Sequence, residues 1–225
     1  MNKDPQMNTD SSSSRTQILQ RLRAAQRPFP DAPPPPTEYL PVVPRINSDQ
    51  DSLTAQFIAA AEQLNCVVHK PATEREGMAV LLELLGKDTA VSCWQPDLIP
   101  MPGLATALTD NGIKITEPRD ANTRVGITGS SAGLAATGSL ILATGPGQIR
   151  STSLLPPLHI AIIRCNQIIS DLESWFARHK ETSLDNLRQA SNIVVISGPS
   201  RTADIALQMV MGMHGPRVLH IILLP

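Results

Sequence analysis

From Ser48 onward, short apolar runs alternate along the chain with segments whose apolar residues recur at helical spacing. Short continuous apolar runs are typical of strands that are buried on both faces of a sheet. Apolar residues three and four positions apart are typical of amphipathic helices. The pattern predicts helices over Leu53–Leu64, Arg75–Leu85, Gly103–Asn111 and Asp171–His179. It predicts strands over Cys66–His69, Thr89–Trp94, Ile113–Thr116, Ser139–Thr144, Leu158–Arg164, Ile193–Ser197 and Val218–Leu224.

Helices and strands that take turns in this way favour a mainly parallel sheet covered by helices on both faces. The predicted fold class is therefore α/β, a three-layer α/β/α arrangement around a mainly parallel mixed sheet. Ser48 or Asp49 is available as the N-cap of the first of these helices, and Gly86 and Gly112 are placed to end two others.

The first 47 residues have a different pattern from the rest of the chain. Met1–Ser14 is polar and rich in serine, which predicts a frayed end. Arg15–Gln26 is predicted as a helix, and Pro28–Pro44 contains eight prolines, which favours an extended spacer. We expect residues 1–47 to form a tail, a helical arm and a Pro-rich linker, and residues 48–225 to form one α/β domain. The sequence leaves open whether the arm packs on its own domain or on another subunit.

Composition excludes several classes of partner. The formal net charge is -1 and aromatic residues make up 3% of the chain, so neither a basic footprint nor stacking platforms for nucleic acid are expected. Apolar stretches are too short to predict a membrane span, and the polar N-terminus lacks the apolar core of a signal peptide. We expect a soluble, cytoplasmic protein.

The cysteines and histidines predict no metal centre in this chain. Cys66, Cys93 and Cys165 stand in separate segments without CxxC spacing, so no zinc or iron–sulfur site is expected from sequence neighbours. The histidines also lack metal-ligand spacing. His220 is interpreted as a satisfied core residue, and His214 as the cap of a helix C-terminus.

Three glycine- and hydroxyl-rich corners are the best candidates for a ligand site. They comprise the segment from Val125 to Ser139, the segment from Thr144 to Ser151, and the corner Gly198–Asp204. The third is predicted as a strand-to-helix turn, with Ser200 or Thr202 as helix cap, and a helix N-terminus beside an arginine attracts an anion. The candidate ligand-binding residues are Thr128, Gly129, Thr137, Gly138, Ser139, Gly145, Gly147, Arg150, Gly198, Ser200, Arg201 and Thr202.

Each corner alone has an ordinary explanation, because Gly-Pro and Gly-Xaa-Gly are common turns and Ser, Thr and Asp are common caps. Taken together, the three corners favour a site in which Arg150 and Arg201 hold an anion. The sequence lacks the dinucleotide fingerprint, the phosphate loop and the Gly-Xaa-Ser-Xaa-Gly elbow of triad hydrolases. No catalytic residue is assigned, and the sequence leaves open whether the isolated chain is an enzyme.

Several motifs resemble the lactate-utilization protein C family, the LUD domain. They are Val125-Gly126-Ile127-Thr128, Ala135–Gly138, Leu154-Leu155-Pro156, His159, Gly198–Asp204 and Gly212-Xaa-His214-Gly215-Pro216-Arg217, in an order that spans Leu53 to Leu224. The resemblance implies a fold similar to the sugar-isomerase and CoA-transferase superfamily. It also implies a non-redox subunit of a system that oxidises L-lactate to pyruvate. Cysteine-rich partner proteins would carry the iron–sulfur clusters, and this chain would hold no cofactor.

One position departs from the family. Ala136-Thr137-Gly138 stands where family members usually have Glu-Thr-Gly, and alanine provides neither a nucleophile nor a base. The departure favours binding of a small carboxylate or phosphorylated ligand, or of partner subunits, over chemistry. The alternative is a stand-alone enzyme, similar to CoA transferases or folate cyclo-ligases, that acts on an acyl or nucleotide substrate. A purely structural adaptor is a third possibility.

Overall fold

A computed structural model describes residues 11–25, 49–117, 120, 122–182, 185–203 and 209–225. The chain divides into two units, Met1–Leu40 and Pro41–Pro225, which are described separately. In the first unit, helix α1 (Ser11–Ala25) confirms the predicted helix and starts earlier, so Ser11–Ser14 are helical rather than frayed. Ile18, Leu19 and Leu22 of α1 are exposed. The Pro-rich segment lies outside the described residues, and the division at residue 47 stays a prediction.

The described part of the second unit contains the four helices and seven strands that the sequence predicts, several with shifted bounds, together with one helix and five strands that it does not predict. Its described helices are α2 (Gln50–Gln63), α3 (Glu74–Leu85), α4 (Leu104–Asp110), α5 (Leu172–Thr182) and α6 (Asp185–Gln189). Its described strands are β1 (Val67–His69), β2 (Ala90–Cys93), β3 (Lys114–Ile115), β4 (Val125–Gly129), β5 (Ala132–Leu134), β6 (Ser139–Thr144), β7 (Leu158–Arg164), β8 (Ile168–Ile169), β9 (Asn192–Ile196), β10 (Arg201–Ala203), β11 (Met209–Met211) and β12 (Val218–Leu224).

A six-stranded sheet forms the centre of this unit, in the order β1-β12-β7-β4-β2-β3. Every pair of neighbours in it is parallel, which confirms the α/β fold class with a mainly parallel central sheet. The middle strands β7 and β12 are buried along almost their whole length, as expected for strands covered on both faces.

Helix caps follow the local sequence. Asp49 is the N-cap of α2 and accepts a hydrogen bond from the Ser52 amide at 2.9 Å. Gly86 ends α3 with φ +57°, and Asn65 follows α2 with φ +66°, both in the left-handed region that ends helices. The cap choice left open between Ser48 and Asp49 is therefore resolved in favour of Asp49.

A second sheet, which the sequence pattern did not predict, has the order β8-β5-β6-β9. Its β6 pairs antiparallel with both β5 and β9. The strands predicted over Ser139–Thr144 and Ile193–Ser197 are therefore present but belong to this sheet, not to the parallel one. Helix α5 covers it by packing Trp175 against Ala132, Leu134, Ile141 and Ile169. Strand β9 was expected to be buried, yet Val195 is 46% exposed because β9 lies at the edge of the described sheet.

The predicted helix after Gly198-Pro199 is wrong. Arg201–Ala203 is strand β10, which pairs antiparallel with β11, so Arg201 lies opposite Met211. The Ser200 carbonyl accepts the Gly212 amide, which fixes the chain after Pro199 in an extended form. Ser200 and Thr202 therefore cap no helix, and His214 lies in a bend after β11 rather than at a helix C-terminus. Asp204 lies outside the described residues.

His69 and His220 form a stacked pair between the parallel strands β1 and β12. The His69 Nε2 and His220 Nδ1 atoms are 2.8 Å apart, and the ring centroids are 5.1 Å apart. Partial burial lowers the pKa of both imidazoles, so they are held as a neutral hydrogen-bonded pair. His220 is hydrogen-bonded as predicted, but it is only partly buried and does not belong to the core.

Candidate functional site

A cavity of about 280 Å³ lies between the amino ends of β7 and β12 and the corner that joins β9 to β10. Its lining residues are Ser153, Leu154, His159, Val194, Val195, Ile196, Ser197, Gly198, Pro199, Ser200, Arg201, His214, Gly215, Pro216 and Leu219. The described lining contains one arginine, Arg201, and no carboxylate. The cavity therefore favours a negatively charged occupant.

The floor of the cavity is formed by His159, the second residue of β7, which is 1% exposed. Its Nε2 atom is 2.8 Å from the Oγ1 atom of Thr128, a fully buried residue on the neighbouring strand β4. Burial lowers the pKa of His159 to about 3, because a charged imidazolium loses its hydration in the core. At neutral pH this side chain is an uncharged hydrogen-bonding group.

Gly126 explains why the chain before β7 can reach the cavity. It lies opposite His159 on β4, and a Cβ atom at this position would overlap the carbonyl oxygen of Thr152. The missing side chain lets the turn Arg150–Ser153 lie directly against β4. A hydrogen bond of 3.1 Å from the Ser92 hydroxyl to Thr152 Oγ1 holds this turn in place, and Ser153 then enters the wall of the cavity.

The rim of the cavity is built around Arg201. Its Nη2 atom donates a hydrogen bond of 2.9 Å to the carbonyl of Leu64, the C-cap residue of α2. Gly198 makes this possible: its φ is +91°, and a Cβ atom there would lie 2.6 Å from the same carbonyl oxygen. The rest of the Arg201 guanidinium makes no other hydrogen bond within the described ranges, so donors remain for a ligand.

Ser200 joins the two sides of this rim. Its amide donates to the Pro216 carbonyl at 2.8 Å, and its Oγ atom accepts the His214 amide at 3.4 Å. The loop from Gly212 to Arg217 is thereby fixed against the β10–β11 hairpin. The hydroxyl proton of Ser200 has no acceptor among the described residues and is free to bond an occupant of the cavity.

A chain of hydroxyl groups lies behind the wall of the cavity. Thr137 Oγ1 donates to Ser139 Oγ at 2.9 Å, and Ser139 Oγ is 2.8 Å from Ser197 Oγ. Ser197 lines the cavity, whereas the other two do not. The glycine between them, Gly138, has φ +63° and lies so close to Ala61 of α2 that a side chain would overlap the helix backbone. Gly138 therefore has a packing role.

The structure separates the predicted site residues into two groups. Gly198, Ser200 and Arg201 line the cavity, and Thr128, Thr137 and Ser139 lie one or two hydrogen bonds behind it. Thr202 lies on β10 outside the lining.

The second group consists of Gly129, Gly145, Gly147 and Arg150, which do not line the cavity. Gly129 and Gly147 both lie close to Leu98. Gly145 follows Thr144, which pairs with Asn192, whereas the Gly198 corner follows Ile196, so these corners lie at opposite ends of the β6–β9 ladder. The exposed Arg150 side chain makes no ion pair or hydrogen bond within the described part of the chain. The structure thus does not bring the two predicted arginines into one cavity.

Sequence reasoning did not select His159, Ser153 or Ser197 as ligand-binding residues. His159 carries a detectable signal, because it is the one polar residue in the run from Leu158 to Ile163. A polar residue in a strand buried on both faces needs a partner or a function. Ser153 and Ser197 gave no such signal, since serine is frequent in turns.

Ala136 lines a different cavity, of about 430 Å³, together with the predicted site residues Thr137 and Ser139. Its other lining residues are Leu64, Leu134, Asp171, Leu172, Glu173, Val195 and Ser197. Two carboxylates therefore line the same cavity as Ala136. Asp171 accepts the amide of Ser174 at 2.7 Å, as a helix N-cap does.

Two of the three cysteines are poor nucleophiles. Burial raises the pKa of Cys66 to about 11 and that of Cys93 to about 12, so both are thiols at neutral pH. In the part of the chain that the structure describes, no three His, Cys, Asp or Glu side chains are grouped to hold a metal ion. No helix in the same part has the length and apolar character needed to cross a membrane.

Comparisons with known proteins agree with the fold. The sequence profile of the LUD domain matches residues 54–224. A lactate utilization protein C from Shouchella clausii is 35% identical over 56% of this chain and 58% of that protein. Another, from an Exiguobacterium species, is 26% identical over 93% of this chain and 95% of that protein. The chain spans about half the length of two of its curated relatives, 42% of one and 58% of the other.

A crystal structure of a DUF162 family protein from Deinococcus radiodurans has the same fold. It superposes with a TM-score of 0.56 at 18% sequence identity, over 79% of this chain and 99% of that chain. At this level of identity the similarity supports the fold alone, and no ligand or activity is inferred from it.

Proposed function

The chain belongs to the LUD domain family, and from this membership we propose that it is a non-redox subunit of a lactate-utilization system. In this proposal it binds a small carboxylate or phosphorylated ligand in the cavity lined by Arg201. The relatives named lactate utilization protein C support the role in lactate utilization. The proposal includes the cytoplasmic location and the cysteine-rich iron–sulfur partners that the sequence resemblance implies.

The observation that carries the binding proposal is the charge of the cavity lining. Arg201 offers free guanidinium donors at the rim, Ser200 offers a free hydroxyl, and no described lining residue is acidic. A guanidinium can bond both oxygens of a carboxylate or phosphate. Hydrogen bonds to charged groups contribute about 1.5–3 kcal/mol each, enough for a small anion to be held selectively.

These residues are suited to hold and orient an anion. His159 is uncharged at neutral pH. Among the described residues, the Ser153 hydroxyl donates to the Arg150 carbonyl and the Ser200 hydroxyl accepts the His214 amide, so neither is hydrogen-bonded to a side-chain base that would activate it. We therefore expect the iron–sulfur partners to carry out electron transfer and this chain to bind the ligand.

Ligand-induced stabilisation tests the binding proposal. The purified chain is unfolded thermally with and without lactate, pyruvate, phosphate, coenzyme A or a nucleotide. A ligand present at 100 times its dissociation constant should stabilise the protein by about 2.7 kcal/mol. The stabilisation should disappear in Arg201→Ala and persist in Arg150→Ala, the matched control. If none of these anions stabilises the wild-type protein, the binding proposal is wrong.

Co-purification tests the assembly proposal. A tagged copy expressed in its source cells should retain cysteine-rich iron–sulfur proteins, detected by mass spectrometry and by the visible absorption of the clusters. The free tag serves as the control. Recovery of the chain without any cluster-containing protein, under conditions in which lactate supports growth, would contradict the assembly.

The alternative is a stand-alone enzyme similar to CoA transferases or folate cyclo-ligases. The observation that favours it is the pair of carboxylates, Asp171 and Glu173, beside Ala136. An enzyme of this kind should turn over an acyl or nucleotide substrate without partners and lose turnover in Glu173→Gln. If the isolated chain turns over neither acyl nor nucleotide substrates, the binding subunit is the better explanation.

A further inference from the structure

Helix α5 covers only part of the sheet β8-β5-β6-β9. Its Trp175 packs against residues of β5, β6 and β8, and no described residue of β9 belongs to that cluster. Ile193 and Val195 are two residues apart on β9, so they share one face of the strand, and they are 36% and 46% exposed. Val195 lies opposite Ile141, a member of the cluster, so this is the face of the sheet on which α5 packs.

One side of α5 beside this strand is apolar as well. Leu172 and Phe176 are one helical turn apart, so they lie on the same side of the helix, and they are 40% and 50% exposed. Leu172 and Val195 line the same cavity, which shows that the helix and the strand adjoin here. We call Leu172, Phe176, Ile193 and Val195 the α5 surface. An exposed group of large apolar side chains that includes an aromatic ring is typical of an interface with another chain.

The charges on α5 indicate which kind of chain the α5 surface fits. Glu173 lies in the first turn of the helix and Lys180 in the last turn. They are about two helical turns apart, so both lie on the exposed side of the helix. Lys180 makes no ion pair or hydrogen bond within the described residues. Glu173 has an interaction in its own chain, and a carboxylate can accept further hydrogen bonds.

A second copy of α5 presents the complementary pattern when it runs antiparallel to the first. A two-fold axis that crosses the helix near Phe176 places the first turn of each helix beside the last turn of the other. Each Glu173 then meets Lys180 of the second copy, and the two Phe176 rings meet near the axis. A parallel arrangement would instead bring like charges together, which is unfavourable.

We propose that the α5 surface is the interface of a homodimer, in which two copies of this chain pack their α5 helices antiparallel around a two-fold axis. The second copy covers the exposed side chains Ile193 and Val195 as well as Phe176. Charged pairs at the edge of an interface contribute more to specificity than to affinity. The apolar side chains therefore hold the dimer together, and the Glu173–Lys180 pairs fix its direction. This inference goes beyond the proposed function and does not depend on it.

The mass of the full chain in solution tests the dimer. Light scattering across a wide range of protein concentrations should reach twice the 24.2 kDa of one chain, and sedimentation equilibrium gives the dissociation constant. Phe176→Glu should raise this constant about thirtyfold or more, because it places a charge at the centre of an apolar contact. Leu155→Glu is the matched control, since Leu155 is a similarly exposed apolar residue before β7, and it should leave the constant unchanged.

Charge reversal tests the antiparallel pairing. Glu173→Lys and Lys180→Glu should each raise the dissociation constant about tenfold, because each turns two attractions into two repulsions. The double variant Glu173→Lys/Lys180→Glu should return to within about threefold of the wild-type protein, since it restores both pairs with opposite sign. Both substitutions oppose the dipole of α5, so a role confined to the single helix predicts that the double variant is the weakest. Melting temperatures confirm that each variant is folded.

Zero-length cross-linking provides a second readout. In an equal mixture of unlabelled and nitrogen-15 protein, a carbodiimide should join the Glu173 carboxylate of one copy to the Lys180 amine of the other and give linked peptides of mixed label. A wild-type chain that stays monomeric at every concentration would overturn the proposal and leave the α5 surface to a different partner. A dimer that persists unchanged in Phe176→Glu would also overturn it. Dimerisation that is weaker in the double variant than in either single variant would overturn the antiparallel pairing.

Discussion

The floor and the rim of the cavity differ in how the fold holds them. The floor residues Thr128 and His159 lie on central strands with neighbours on both sides, and they are buried. The rim residue Arg201 is exposed, and it is anchored by one hydrogen bond to the end of α2. The neutral side chain is thus placed by the core of the protein, whereas the charged side chain is placed by a short two-stranded hairpin. The comparison predicts that substitutions at the floor cost more stability than substitutions at the rim.

Glycine substitutions should give the largest difference in stability between the floor and the rim. Gly126→Ala on the floor would place a Cβ atom against the carbonyl of Thr152, and overpacking of this kind destabilises by about 3 kcal/mol or more. Gly198→Ala on the rim should cost about 1–3 kcal/mol, from the strain of its positive φ and from the close approach of the new Cβ atom to the Leu64 carbonyl. Urea unfolding measures both, and Gly145→Ala, with open space around it, is the control. Equal losses of unfolding free energy in Gly126→Ala and Gly198→Ala would contradict the comparison.

Removal of the floor imidazole should have the next largest effect on stability. His159→Leu leaves the Thr128 hydroxyl buried without a partner, which costs about 1–3 kcal/mol. Adding Thr128→Val should recover much of this loss, because the unpaired hydroxyl is then absent. The coupling energy from a double-mutant cycle measures the interaction. Additive losses would show that the two side chains do not form a pair.

The floor should also make stability depend on pH. The pKa of His159 is lowered from 6.5 to about 3 in the folded protein, so the unfolded chain binds a proton there that the native state does not. This contribution is fully present above pH 6.5 and is lost as the pH falls toward about 3, by at most about 1.4 kcal/mol per unit. Urea unfolding from pH 7 to 4 should show a smaller loss in the His159→Leu/Thr128→Val variant than in the wild-type protein. Parallel curves would contradict this account.

Substitutions of the two arginines should have the smallest effects on stability. Arg201→Ala removes one exposed hydrogen bond and should cost no more than about 1 kcal/mol, while it abolishes anion binding. Arg150→Ala should change stability by less than about 0.5 kcal/mol, since its exposed side chain has no partner in the described chain. Unfolding and calorimetry check both. Loss of anion binding in Arg150→Ala would place this residue back in the site.

Most of the central sheet could be predicted, because every one of its strands except β4 carries the signal in its own apolar run. The bounds predicted for β7 and β12 agree with the structure, as do those of β6. Long apolar runs can be buried in few ways, so local sequence is sufficient. The membership of β6 and β9 in a second, antiparallel sheet could not be predicted, because pairing depends on residues far away in the chain.

The corner after Gly198-Pro199 shows where such reasoning fails. Ser200 and Thr202 suit the start of a helix and the start of a hairpin equally well. The decision comes from non-local bonds, namely the pairing of Arg201 with Met211 and the bond from the Gly212 amide to Ser200. The anion-favouring character assigned to this corner came from Arg201, and it does not require the helix N-terminus.

Strand β4 illustrates the opposite error. Val125–Gly129 contains two glycines, which are unfavourable in strands, and the sequence pattern assigned it to a corner. In the structure it pairs with β2 and β7 on either side. Tertiary contacts override the weak local preference here. Gly126 lowers the strand preference of this segment, but the turn Arg150–Ser153 packs so closely against it that only glycine fits.

The bond from Arg201 to the Leu64 carbonyl connects the cavity to a buried thiol two residues further along the chain. The positive charge of Arg201 lowers the pKa of Cys66, although burial raises it more. Arg201 therefore joins the anion site to the end of helix α2, so Arg201→Ala should free the Leu64 carbonyl as well as remove the charge at the rim.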